Sequence, residues 1–125
     1  MSSLITSNIS DGTTSVPTGY VVNGSAKAWV NFNGTGAIAT SDSLNVSSLT
    51  DTDVGRYSIN FSTAFSNANY CGVASATIGG TNNSNRSSAV GPVSGTSAYC
   101  NSWVDNTGSF SDVEVICATV QGDLA

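Results

Sequence analysis

Half of the 125 residues are Ser, Thr, Asn or Gly (22, 14, 13 and 13), while three basic and eight acidic residues give a net charge of −5. Lys27, Arg56 and Arg86 stand singly along the chain, which excludes the clustered cations that nucleic-acid binding draws on. His is absent, so Ser-His-Asp chemistry and most zinc sites are excluded, and no enzyme is expected.

A chain of this length forms one domain by default and can bury a single core. Apolar residues make up 39% of the sequence and recur in short clusters, so the chain reads as folded rather than disordered. Residues 1–18 are polar with isolated apolar side chains, too thin for a core of their own, and are expected as an extended N-terminal arm for attachment or oligomer contact. Residues 19–125 are expected as one all-β domain, an antiparallel β-sandwich of roughly seven to nine strands. The first residues lack a basic segment followed by an apolar one, so no secretory signal is expected and the chain is expected to be made in the cytoplasm. No stretch approaches the roughly 20 apolar residues of a membrane helix, and no membrane insertion is expected.

Strands are expected at residues 19–22, 26–32, 37–40, 44–49, 56–61, 70–78, 97–104 and 113–119. The clearest alternation is Arg56-Tyr57-Ser58-Ile59-Asn60-Phe61, a period of two with every second residue apolar. No segment carries the i, i+3, i+4, i+7 apolar stripe of an amphipathic helix. Asn33-Gly34 between two apolar runs predicts a type I′ turn folding residues 26–32 onto 37–40. Thr50-Asp51-Thr52-Asp53-Val54-Gly55 is expected as a longer polar turn joining 44–49 to 56–61. The ten residues 79–88 contain no apolar side chain and are expected as a long loop, the kind of segment on which binding residues sit.

Few constellations carry chemistry. Asp51-Thr52-Asp53 resembles the start of a calcium loop but lacks the later bidentate Glu, so a plain turn is expected, with no metal and no cofactor. The remaining acids lie beside turn residues rather than across a cleft. Cys71, Cys100 and Cys117 are widely spaced with no Cys-x-x-Cys; small buried thiols are expected, with one disulfide plus a free thiol left open. Trp29 and Trp103 each offer an apolar plane suited to a sugar ring, yet both are expected in the core. Trp103 shares an alternating face with Tyr99 and Asn101, and the polar Asn101 between two aromatics marks that face as partly exposed. The candidate receptor-binding residues are therefore Asn82, Asn83, Asn85 and Arg86 from the polar loop with Tyr99, Asn101 and Trp103.

The run Val21-Val22-Asn23-Gly24-Ser25-Ala26-Lys27-Ala28-Trp29-Val30-Asn31-Phe32-Asn33-Gly34-Thr35-Gly36, followed by Ser43-Leu44-Asn45-Val46-Ser47, Gly55-Arg56-Tyr57-Ser58-Ile59-Asn60-Phe61 and Asn67-Ala68-Asn69-Tyr70, resembles a module of marine bacteriophage and cyanophage tail-fibre and virion structural proteins. The resemblance covers residues 10–70. It implies a virion component, a homotrimer attached through its N-terminal arm to other tail or virion proteins. It implies no catalytic residues. The C-terminal half would then be free to meet the host surface, with cell-surface polysaccharide as the ligand class suggested by neutral Asn, Ser, Thr and Tyr side chains. A short tail fibre or fibre tip is the expected role; a capsid decoration or baseplate/connector subunit is the architectural alternative.

Overall fold

The computed structural model describes residues 1–79 and 85–125. Among these, the chain forms β1 (Asn8–Ser10), β2 (Ser15–Pro17), α1 (Thr18–Gly24), β3 (Ala28–Asn33), β4 (Ala39–Leu44), β5 (Val46–Asp53), β6 (Arg56–Phe61), β7 (Cys71–Thr77), β8 (Arg86–Ser94), β9 (Ser97–Val104) and β10 (Val115–Gln121). The last eight strands make an antiparallel sandwich of two four-stranded sheets, ordered β4-β3-β10-β7 and β5-β6-β9-β8. The all-β sandwich expected from the alternating pattern is the fold.

Alternation explains the core. In β3 the inward residues are Ala28, Val30 and Phe32, in β6 Tyr57, Ile59 and Phe61, in β9 Ala98, Cys100 and Ser102, and in β10 Ile116, Ala118 and Val120, all buried. These four are the inner strands of their sheets, so each inward side chain has neighbours on both sides and across the sandwich. The edge strand β7 turns Gly72, Ala74 and Ala76 inward instead. A Cβ on Gly72 would stand 2.7 Å from Val90 Cγ1 of β8, so this side of the sandwich closes by backbone approach rather than by bulky packing.

The chain crosses between sheets at Asn45, where β4 ends in one sheet and β5 begins in the other. Asn45 is the one described non-glycine residue with positive φ, at 55°, a conformation that Asn tolerates better than most residues. Its side chain fixes the corner: Thr63 N donates to Oδ1 at 2.6 Å and Nδ2 donates to Thr63 O at 3.0 Å.

Several local expectations are corrected. Residues 19–22 are helical, not a strand: Pro17, with φ −57°, leads directly into α1, and Thr18 Oγ1 donates to Thr6 O at 2.9 Å. Lys27 Nζ donates to the carbonyl of Val22 in the last turn of α1 and to that of Ser25 just past its end, where a cation complements the helix dipole. Asn33 and Gly34 do not form a type I′ turn, although β3 and β4 do pair; the positive φ falls at Gly36, and Asn33 Oδ1 instead accepts from Thr35 N at 2.8 Å, an Asx turn that removes the need for two left-handed residues. The turn between β5 and β6 is tighter than expected, because β5 runs on to Asp53 and only Val54-Gly55 turns. Within residues 1–18, expected as an extended arm, β1 and β2 pair in a small hairpin whose side chains are all exposed.

Strand β8 was hidden in the sequence by Gly91, Pro92 and three serines. It is an edge strand, so Pro92 needs no ladder donor on its open side. The polar loop is correspondingly shorter than expected, since Arg86, Ser87 and Ser88 belong to β8.

Candidate functional site

The register of β6, β8 and β9 fixes which residues share the outer face of the second sheet. Tyr99 lies opposite Ser58 and Gly91, Asn101 opposite Arg56 and Ala89, and Trp103 opposite Ser87. Directly opposed residues of antiparallel strands project to the same side, while the alternating residues Ala98, Cys100 and Ser102 are buried. Tyr99, Asn101 and Trp103 therefore form one outward strip, as expected, but Trp103 is half-buried on the outer face and not in the core. Trp29 is corrected likewise: it alternates with buried Ala28 and Val30 and faces outward from the first sheet. In both strands the small or aliphatic neighbour took the inward position, which a one-residue choice of register decides for every side chain at once.

Two residues join the strip that alternation did not indicate. Residues 105–112 fold back along the end of β9, where Trp103 and Phe110 form an antiparallel bridge, and Phe110 is 39% exposed. The Arg56 guanidinium sits over the Phe110 ring, 4.1 Å from its centroid, and its Nη1 lies 3.7 Å from Asp53 Oδ2. Stacking on an aromatic face holds the cation in place on the sheet's surface. Phe110 is separated from every apolar neighbour by Ser, Thr, Asn, Asp and Gly, so it gave no periodic signal.

Tyr99 lies across β8. A Cβ on Gly91 would fall 2.4 Å from its hydroxyl oxygen and 2.5 Å from Cζ, so the absent side chain of Gly91 is what lets the phenol ring rest flat on the sheet.

The fold-back is anchored from beneath. Ser111 N donates to Ser102 O at 3.1 Å, Ser102 Oγ donates to Ser111 O at 2.7 Å, and Val104 N donates to Ser109 O at 2.9 Å. Asp112 Oδ1 accepts from Gly55 N at 2.7 Å and from the Tyr57 hydroxyl at 3.0 Å. Tyr57 is buried, and desolvation, followed by the neighbouring Asp112 carboxylate, pushes its phenol well above the ordinary value of 10. It stays a neutral donor at physiological pH and braces the carboxylate.

The other expected binding residues do not join this face. Asn82 and Asn83 lie outside the described residues. Arg86 pairs with Val104, one position out of step with Trp103, so it projects to the opposite side of the sheet; its Nη1 donates to Asn85 O at 2.7 Å. The site is thus five residues on two strands and a fold-back: Arg56 on β6, Tyr99, Asn101 and Trp103 on β9, and Phe110. Aromatic plates, one amide and one cation suit stacking and hydrogen bonding to a polar ligand.

The three cysteines are all free, with Cys100 buried and Cys71 and Cys117 exposed, which corrects the expectation that all are buried. Burial pushes the Cys100 thiol up to about 11. Among the described residues no helix is long and apolar enough to cross a membrane, and no group of three or more His, Cys, Asp or Glu could hold a metal ion. Compared with protein-family models, curated proteins and solved structures, the chain matches none.

Proposed function

We propose that the chain is a non-enzymatic structural protein of a bacteriophage virion, a short tail fibre or fibre tip that helps the particle adsorb to its host. The observation that carries this reading is the division between a sandwich with its own buried core and a first segment whose apolar side chains are uncovered. Leu4, Ile5, Ile9, Val16, Tyr20, Val21 and Val22 are all exposed within residues 1–24. Apolar surface left open at one end calls for cover by copies of itself or by a neighbouring protein. A homotrimer joined through this segment would display three copies of the Arg56, Tyr99, Asn101, Trp103 and Phe110 face, and a virion many more. Weak contacts to cell-surface polysaccharide then become firm adhesion by avidity.

Two measurements test the reading. In sedimentation the chain runs at three times its single-chain mass of 12.6 kDa, and Ile9→Asp with Val21→Asp reduces it to a monomer with its sandwich intact. The soluble trimer binds host cells, and Trp103→Ala abolishes that binding. Failure of the trimer to bind cells to which the particle adsorbs refutes the adhesive role. A particle reconstruction with the Tyr99 face packed against other virion proteins would replace it with the architectural one, a decoration or connector subunit.

A further inference from the structure

We infer that the outer face of the first sheet carries a separate binding site for a neutral saccharide, centred on Trp29. The register places Trp29 between Leu44 and Thr119, with Val73 beyond Thr119, and places Asn31 between Asp42 and Cys117, with Ser75 beyond Cys117. The residues of these rows on β3, β10 and β7 occupy three neighbouring strands, so the patch they form measures roughly 10 Å by 7 Å. Trp29, Asn31, Val73, Ser75, Cys117 and Thr119 line an open depression of about 350 Å³ on it, at the lower end of the range for small-ligand sites.

The lining selects the ligand class. An indole supplies one flat apolar plate, and Asn31, Ser75 and Thr119 supply an amide and two hydroxyls around it. None of the lining residues is charged, and the adjacent acid, Asp42, has its Oδ1 occupied by Ser43 N at 2.8 Å. A pyranose ring has the complementary form: a C–H face that packs on an aromatic ring and an equatorial rim of hydroxyls that both donate and accept. A phosphate or nucleic acid would find no cation in this lining. A peptide adding as a strand would pair at the edge strand β7, beside the depression rather than over Trp29, because β3 and β10 are inner strands. One or two sugar rings fit the patch, and the site is independent of the virion reading because it needs only the folded chain.

The cysteines make the inference measurable. Cys117 lies in the depression, while Cys71 is exposed on the same face but pairs with Gln121, four residues along β10 and so roughly 13 Å away. Cys100 is buried with its thiol held up to about 11, so it is slow toward thiol reagents. The full chain is titrated singly with glucose, galactose, mannose and N-acetylglucosamine, while NMR follows its two tryptophan indole N–H signals and a maleimide reports each thiol. At least one sugar shifts the Trp29 signal and slows Cys117 but not Cys71. Trp29→Ala weakens binding about tenfold, with Trp29→Phe intermediate, both measured on chains whose unchanged amide spectrum away from β3 shows the sandwich folded. The inference is overturned if no sugar moves the Trp29 signal, if only Trp103 responds, or if Cys117 is protected without sugar and becomes reactive on dilution, which would mean that a second copy covers this face.

Discussion

Replacing Tyr57 with Phe removes one oxygen atom from a buried polar node of the sandwich. The hydroxyl lies 3.0 Å from Asp112 Oδ1 and 3.3 Å from Gly34 O, while the ring keeps its edge contact with Phe32 at a centroid distance of 5.2 Å. The apolar burial is unchanged, so the loss is that of a hydrogen bond to a charged group, about 1.5–3 kcal/mol. For a domain of this size about 2 kcal/mol lowers the melting temperature by roughly 8 °C. Urea unfolding should show a lower midpoint at unchanged slope. Asp112→Ala removes the same bond from the other side, so in that background Tyr57→Phe should cost at least about 1 kcal/mol less. The phenol also gives a pH signature. Its folded pKa is raised above the unfolded value near 10, so its contribution is fully present below about pH 10 and is lost as pH climbs further. The parent should lose stability above pH 10 more steeply than Tyr57→Phe. A cost within about 0.5 kcal/mol of zero, or an equal cost with and without Asp112, would refute the node as a support of the fold.

Gly55→Ala should be among the most damaging single-methyl additions. Its φ is 63°, and the new Cβ would stand 2.4 Å from Ser102 O and 2.6 Å from Ser111 N, both backbone atoms. Thermal unfolding should show about 1–2 kcal/mol from the left-handed conformation and a further 1–3 from overpacking. At the crossing between sheets, Asn45→Gly should cost about 1 kcal/mol for the lost Thr63 bonds, and Asn45→Ala about 1–2 kcal/mol more; equal costs would remove the argument from backbone conformation. In the first hairpin, Asp11 Oδ1 accepts from Thr14 N at 2.7 Å and Thr13 N at 2.9 Å, bonds that lower its pKa below 3.8. The hairpin should therefore persist above the unfolded value and loosen only as pH falls through the lowered one. Amide shifts of Thr13 and Thr14 should follow that titration, and Asp11→Asn should abolish it.

Alternation along residues 56–61 and 97–104 was enough to place β6 and β9 to the residue, because a half-buried inner strand writes its burial directly into a period of two. The sandwich followed from the same signal and from turn residues between runs. It failed where burial did not set the pattern. The helix α1 has no buried face, so no 3.6-residue stripe marks it, and β-branched Val21 and Val22 suggested a strand. Strand β8 lies at an edge, which admits Gly and Pro that would argue against an inner strand. The Tyr99, Asn101 and Trp103 strip was readable because it lies on one strand; Arg56 and Phe110 reach it through cross-strand register and a fold-back.

Composition alone made this a His-free, weakly charged, strand-forming chain, and alternation assigned most of its strands. Which tryptophan faces water was settled only by assembly of the two sheets. An alternating strand has two candidate faces, and which one is buried depends on whether the opposing sheet leaves room for an indole or for an alanine. At Trp29 and Trp103 the inward positions went to Ala28, Val30, Cys100 and Ser102, while Phe32, Tyr57 and Phe61 supply the rings of the core, so the close-packed interior has no further room for an indole at these two places.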